Sequence, residues 1–253
     1  MGVDNRNIPE QLINPGREAR PRSLLDLIDL KTFDLDLAAW LVSHVSKGAS
    51  LITGSGPGGI GKSTTMRSLL AFAPGHLPFF VAWPGEIRGI HQIPCCIISH
   101  EVSDHPPPGY IWGQDVRDYF AHSKNGNMLA SNMHADDLSE VYQQIVEENN
   151  VPESQFRSIN LFMFVWLEGR DMSDRRRIHD TTSRRYVTKI FYSDGKGAHD
   201  LVYSDGKGLS DRAPRDAAYE KKCRAFLEDA VENSTRDING LRHRFLDWAQ
   251  QNA

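Results

Sequence analysis

The chain has 253 residues, with 29 Lys+Arg against 33 Asp+Glu and a formal net charge of −4. A composition of 40% hydrophobic and 25% charged residues supports a sizeable core, which excludes a disordered or collagen-like chain. The near-neutral balance argues against sequence-blind nucleic-acid binding, which needs a strongly basic field.

The first 22 residues are polar and carry Pro9, Pro15 and Pro21, so they read as a mobile N-terminal arm. Their start lacks the apolar core of a signal peptide, and no run approaches the ~18–20 apolar residues that span a bilayer. The three cysteines, Cys95, Cys96 and Cys223, show no metal-ligand spacing. These features predict a cytoplasmic protein in a reducing compartment.

From Ser23 the apolar period becomes helical, with Leu24, Leu27, Ile28 and Leu30 on one face. A second helix is expected from Asp34, a good N-cap, with a stripe of Leu37, Trp40, Leu41 and Val45 and a stop at Gly48. Short apolar runs follow at Leu51–Thr53, Phe79–Trp83, Cys95–Ser99 and Ile159–Leu167. Helical patterns at Thr64–Phe72 and Leu138–Val146 lie between them. This alternation predicts an α/β sheet of mostly parallel strands. Asp137 and Glu140 form an acidic capping box before the second of those helices.

Gly56-Pro57-Gly58-Gly59-Ile60-Gly61-Lys62-Ser63 fits the phosphate-loop pattern G-x-x-x-x-G-K-[ST]. Its glycines let backbone N–H groups converge on phosphate oxygens, and a helix opening at Thr64 points its positive end at the same anion. Lys62 would reach the outer phosphates and Ser63 would ligate Mg²⁺. The strand before the loop and the helix after it supply the context that the motif requires. ATP with Mg²⁺ is therefore the expected ligand.

Hydrolysis needs a carboxylate at the end of a buried neighbouring strand. Cys95-Cys-Ile-Ile-Ser-His-Glu101 ends in Glu101, the first candidate; Glu86 and Asp115 compete with it. A short strand at Met128–Ser131 would bring Asn132 and His134 to the carboxyl edge of the sheet, where α/β ligands bind. His134 is the candidate γ-phosphate sensor.

Beyond Gly169 the texture changes. The hexapeptide Tyr-Ser-Asp-Gly-Lys-Gly occurs at Tyr192–Gly197 and again at Tyr203–Gly208. Asp-Gly is a hairpin-turn pair, and each copy lacks a following helix, so the repeat reads as two turns of an antiparallel hairpin or meander rather than a phosphate cradle. Strands are expected at Tyr186–Phe191 and Asp200–Tyr203. From Pro214 the chain is helical, with Tyr219, Cys223, Phe226, Leu227 and Ala230 on one face. Ile238, Leu241, Phe245 and Trp248 form another after a Ser234-Thr235 cap. The expected organisation is thus an arm at 1–22, a core at 23–213 with a β hairpin near 184–208, and a helical segment at 214–253.

On these motifs the chain resembles the ATPases of type II and type IV secretion systems and pilus assembly. The likeness runs through Leu24–Leu30, Asp36–Leu41, Gly48–Gly54, the phosphate loop and Ser68–Pro74. Phe80-Val-Ala-Trp-Pro-Gly-Glu86 is similar to the family's "Asp box", of which only Glu86 keeps an acid. Ser131-Asn-Met-His-Ala135 resembles its "His box", and Arg184–Ile190 resembles the β-rich stretch that follows.

The resemblance implies a RecA-like P-loop core, Mg²⁺-ATP as substrate, a homo-oligomeric hexameric ring and secretion or pilus proteins as partners. The family's Walker B strand ends Gly-Glu; here either Ile98-Ser-His-Glu101 or Ile111-Trp-Gly-Gln-Asp115 stands in its place. The large N-terminal domain of such motors is expected to have no counterpart before Ser23. Its arginines would be replaced by Arg88, Arg117, Arg175–Arg177 or Arg184–Arg185, or be absent. Two further readings differ in class. One is a nucleotide-binding regulator or adaptor that hydrolyses little, and the other a small-molecule kinase, which the order of the boxes disfavours.

Overall fold

The computed structural model describes residues 6–12, 20–90, 94–105, 109–171, 176–180 and 182–252. Two helices open the ordered chain, α1 (Leu24–Asp29) and α2 (Leu35–Val45). Ser23 and Asp26 close a capping box on α1, and the Asp34 side chain accepts the Leu37 N–H at 2.7 Å to start α2 where its sequence placed the cap. Gly48, at φ 87°, permits the left-handed turn that ends this helical pair.

The strands are β1 (Leu51–Gly54), β2 (Phe79–Val81), β3 (Cys96–Ile98), β4 (Glu101–Val102), β5 (Tyr110–Ile111), β6 (Met128–Met133), β7 (Leu161–Leu167), β8 (Arg185–Tyr192), β9 (Asp200–Ser204) and β10 (Gly208–Leu209). They form one sheet in the order β10-β9-β8-β7-β1-β6-β3-β2, with β4 joined to β6 and β5. The span from β7 to β2 is parallel; β7 to β10 is antiparallel. The phosphate-loop strand β1 sits between β7 and β6, and β6 separates it from β3. This is a mixed α/β fold with a mostly parallel central sheet.

Residues alternate across this sheet with the period of two that strands impose. Leu51, Cys96, Ile98, Met128, Ala130, Leu161 and Met163 face one layer. It is built with Trp40, Leu41, Leu69, Phe72, Phe226 and Phe245. Ile52, Ile97, Leu129, Phe162 and Phe164 face the other, with Val116, Tyr119, Val141 and Phe156. The first layer packs on α1, α2, α3 (Lys62–Leu70), α7 (Ala217–Asn233) and α8 (Ile238–Asn252). The second packs on α4 (Gln114–Ala121), α5 (Leu138–Tyr142) and α6 (Glu153–Arg157). Both faces of the parallel strands are covered, which is why they read as nearly continuous apolar runs.

Four features depart from the expectations. Residues 6–12 of the expected arm pack on the body. Ile8 and Leu12 are buried, the Ile8 N–H donates to Asn239 Oδ1 at 2.9 Å, and Arg67 Nη1 donates to the Leu12 carbonyl at 2.9 Å. Burying two apolar side chains and capping one carbonyl offsets the ordering cost there. The helix after Asp137 is α-helical only to Tyr142 and continues as a π turn over Gln143–Glu148. Its capping is shared, because Asp137 accepts the Glu140 N–H while Glu140 accepts the Asp136 N–H. The second helix of the C-terminal segment, α8, is capped by Asp237, whose carboxylate accepts the Gly240 N–H, rather than by Ser234 or Thr235.

The two hexapeptides also differ in use. The second copy makes a tight hairpin from β9 to β10, with Gly206 at φ 75°. In the first, Asp194 Oδ1 accepts the Lys196 and Gly197 N–H groups in a longer connection, with Gly195 at φ 88°. Both are turns, as Asp-Gly chemistry dictates.

Candidate phosphate-binding site

β1 ends at Gly54, level with Met133 of β6 and Phe164 of β7, so the loop 55–61 leaves the carboxyl edge of the parallel strands and enters α3 at Lys62. Gly59 at φ 83° and Gly61 at φ 107° adopt a backbone that L side chains rarely take. At Gly59 a Cβ would also stand 2.1 Å from the Ile178 carbonyl oxygen, because Ile178 donates its N–H to the Gly58 carbonyl at 2.8 Å. Ile60 anchors the loop in a small cluster with Val165, Leu167 and Ile178.

Lys62 is buried. Its Nζ donates to the Ser55 carbonyl at 3.1 Å and the Pro57 carbonyl at 3.3 Å, and it lies 3.2 Å from Glu101 Oε1. Burial pulls this ammonium below the usual lysine range, and the Glu101 charge pulls the other way.

Glu101 reaches this place through a break in its strand. β3 stops at Ile98, Ser99 donates its N–H to the Ala130 carbonyl, and the chain re-enters the sheet as β4, where Val102 pairs with Met133. The Glu101 side chain is 7% exposed, and its Oε1 is also 3.0 Å from His134 Nε2.

His134 follows β6 directly. Its Nδ1 lies 2.7 Å from the Gly56 carbonyl and 3.2 Å from Lys62 Nζ; the carbonyl can only accept, so the bond to Gly56 requires the proton on Nδ1. The contact from Nε2 to Glu101 is then attractive only when a further proton lies between them. Burial and the Lys62 charge hold the imidazole below the usual histidine range, opposed by Glu101 and by the Gly56 carbonyl. His105 stands 5.9 Å away, ring to ring.

Asn132, level with Thr53 in the pairing of β1 and β6, donates from Nδ2 to the His100 carbonyl at 2.8 Å and to Ser63 Oγ at 3.3 Å. Ser63 is exposed at the helix start, while Thr64 is half-buried. Three buried oxygens around the loop lack a hydrogen-bond partner: Thr53 Oγ1, Ser55 Oγ and Asn132 Oδ1. Buried polar atoms are almost always satisfied, so this cluster of oxygens fits a polar ligand with a hard cation. Among the described residues no group of three or more His, Cys, Asp or Glu could by itself hold a metal. A cation here would share its shell with phosphate oxygens, as Mg²⁺ commonly does.

The structure brings together the loop residues Gly56 to Thr64, Glu101 and His134. It does not bring Glu86 or Asp115 to them. Glu86 is exposed beyond β2, at the far edge of the sheet from β1. Asp115 lies in the first turn of α4, where its Oδ1 accepts the Gly85 N–H at 2.8 Å. The stretch Ile111-Trp-Gly-Gln-Asp115 is thus a strand end followed by a helix start. Gln114 there bonds Asp118 and Arg117.

Of the arginines, Arg88 pairs with Asp118, Arg117 bonds the Asn149 carbonyl, and Arg184 bonds the Lys31 carbonyl. Arg185 bonds the Ser183 carbonyl, and Arg175 lies outside the described residues. Arg177 crosses the loop. A Cβ built on Gly58 would stand 3.6 Å from its Cγ, 3.9 Å from its Nη1 and 4.0 Å from His134 Cε1.

Two residues escape sequence reasoning. Asp136 Oδ1 accepts the Gly56 N–H at 2.7 Å, and Arg170 grips the same carboxylate with two bonds at 2.8 and 2.7 Å. The spacing of His134 and Asp136, two apart just past the end of β6, is a signal for Asp136. Arg170 follows a glycine with no local mark of its role.

No protein-family model matches the chain, and no curated protein matches it. Among solved structures it is similar to the VirB11 ATPase of the Brucella suis type IV secretion system, in complex with sulphate. That match has 16% identity over 70% of this chain and 58% of that one, with a TM-score of 0.45. It is also similar to the Legionella pneumophila ATPase DotB, with 12% identity over 91% of this chain and 63% of that one and a TM-score of 0.45. The chain therefore spans less than two thirds of the length of either structure. No helix among the described residues is long and apolar enough to cross a membrane.

Proposed function

We propose that this chain binds Mg²⁺-ATP and hydrolyses it. The observation that carries this reading is the convergence of Lys62, Glu101 and His134 on a glycine-rich loop that opens a helix, with three unsatisfied oxygens around it. Backbone N–H groups of the loop and the α3 terminus would bind the phosphates, and Lys62 would leave its loop carbonyls for the outer phosphate oxygens. Ser63, with Asn132 beside it, would hold Mg²⁺. Once bound, the ion would neutralise charge on the transferred phosphoryl group. Glu101 orients the attacking water and takes its proton. His134 reports the γ-phosphate to the loop through Gly56.

The motif likeness to secretion and pilus ATPases supports a ring, hexameric in that family, that turns ATP hydrolysis into movement within a secretion- or pilus-like assembly in the cytoplasm. The test is phosphate release against protein concentration, with mass measured with and without nucleotide. A ring-sized mass and a concentration-dependent rate are expected. A monomer that binds ATP without turnover would favour the second reading, a nucleotide-dependent regulator or adaptor. One observation favours that second reading: the stretch Phe80–Glu86 keeps only one acid, Glu86, and that residue is exposed beyond β2, at the far edge of the sheet from β1.

A further inference from the structure

The Gly56 peptide is held at both of its polar groups by one short segment. His134 Nδ1 takes its carbonyl at 2.7 Å, and Asp136 Oδ1 takes its N–H at 2.7 Å. The segment passes so close that a Cβ on Gly54 would stand 2.8 Å from the Ala135 carbonyl oxygen. Asp136 is in turn fixed by Arg170. The guanidinium meets the carboxylate in a two-bond fork, the two side chains are 0% and 8% exposed, and the Arg170 carbon lies 4.1 Å over the Trp166 ring. A bidentate pair of this kind is directional as well as strong, and burial spares it solvent screening. Arg170 begins the β7–β8 connection, which returns to the loop at Ile178. The Arg170–Asp136 pair therefore ties that connection to the first residue of the phosphate motif.

We propose that Asp136, locked by Arg170, is a positioning residue: it presets the Gly56 peptide and with it the phosphate-binding conformation of the loop, so that a nucleoside triphosphate meets a formed site. This rests on the nucleotide-binding reading above. Asp136 has its carboxylate committed to Gly56 and Arg170, and its effect passes through the loop backbone. Its loss should therefore appear in ground-state affinity more than in turnover at saturation.

The experiment compares the full chain with Asp136→Ala, Asp136→Asn and Arg170→Lys, using two readouts. The first is hydrogen exchange at the Gly56 amide without ligand. The second is Mg²⁺-ATP affinity by calorimetry, with KM and kcat alongside. Asp136→Ala is expected to speed Gly56 exchange and weaken affinity by about tenfold or more, with kcat within about threefold. Asp136→Asn keeps an acceptor for the Gly56 N–H and should recover most of the affinity. Arg170→Lys keeps the charge but loses the fork, and should fall between them; it also decides the matter if Asp136→Ala does not fold. Lower unfolding temperatures with unchanged Gly56 exchange and unchanged affinity would make the pair merely structural and overturn the inference. Failure of the wild-type chain to bind Mg²⁺-ATP would overturn the functional reading instead, while Gly56 exchange would still show whether the pair sets the loop.

Discussion

Lys62 Nζ and Glu101 Oε1 stand 3.2 Å apart with side chains 6% and 7% exposed, one from the start of a helix and the other from a two-residue strand. Without a phosphate, the lysine is held by this carboxylate and by two carbonyls of its own loop. On the proposed reading, a triphosphate would replace those contacts and leave Glu101 to act on water.

Lys62→Ala should therefore abolish measurable Mg²⁺-ATP binding. Glu101→Gln should retain binding while lowering kcat by about 10²–10⁴, the range for loss of a general base. Filter-binding and single-turnover phosphate release separate the two. Glu86→Gln and Asp115→Asn should stay near the wild-type rate. Full turnover in Glu101→Gln would remove that residue from the mechanism.

Nucleotide binding should take up protons near pH ~7. Burial and the Lys62 charge hold His134 below the ordinary histidine value, about 6.5, so most of its population is neutral there. Phosphate charge nearby favours the imidazolium and raises that value. Calorimetry in buffers of different ionisation enthalpy measures the uptake, and His134→Gln should remove most of it. A buffer-independent enthalpy in the wild-type protein would contradict this account.

Acid should destabilise the fold before its carboxylates titrate. His44, His100, His134 and His199 all sit below the usual histidine value, each with burial as the largest cause. A depressed folded value means that the unfolded chain binds more protons once pH drops below about 6.5. Their contribution is thus present above that pH and is lost as pH falls through the folded values. Urea midpoints should fall steadily from pH ~7.5 to ~5.5. A flat profile over that window would refute the argument.

Arg177→Ala should lower kcat by about tenfold or more and leave the unfolding temperature nearly unchanged, since the residue is exposed and crosses the loop beside Gly58. Steady-state kinetics with thermal melts checks this. An unaffected rate would leave stabilisation of the transferred phosphoryl group to another arginine.

Arg242→Met should destabilise the chain by about 2–4 kcal/mol. Arg242 is fully buried on α8, donates to the Ala71 and Ala73 carbonyls at 3.2 and 2.9 Å just past the end of α3, and lies 4.6 Å over the Phe79 ring. The substitution keeps volume but strands those carbonyls. A urea midpoint within error of wild type would show that water replaces the guanidinium there.

Elements with a strong local signal were legible in the sequence. The Asp34 cap, the apolar runs of β1, β3, β6 and β7, the phosphate loop and the Asp-Gly turns all follow from patterns within a few residues. The short strands β4 and β5 carry no such pattern. They exist because Glu101 pairs with Tyr110 and Val102 with Met133, contacts made by distant segments. Arg170 is equally silent, because a buried guanidinium is recognisable only beside its carboxylate.

The sequence by itself determined that a glycine-rich loop joins a strand to a helix and carries Lys62 and Ser63, because backbone freedom and helix polarity are local properties. It left three carboxylates competing for one role. Tertiary structure decided how they are placed: the break at Ser99–His100 turns Glu101 toward Lys62, while the sheet order leaves Glu86 at the far edge and the α4 start commits Asp115 to Gly85. Distance between charges depends on which strands lie side by side, and strand order is settled by packing across the whole core.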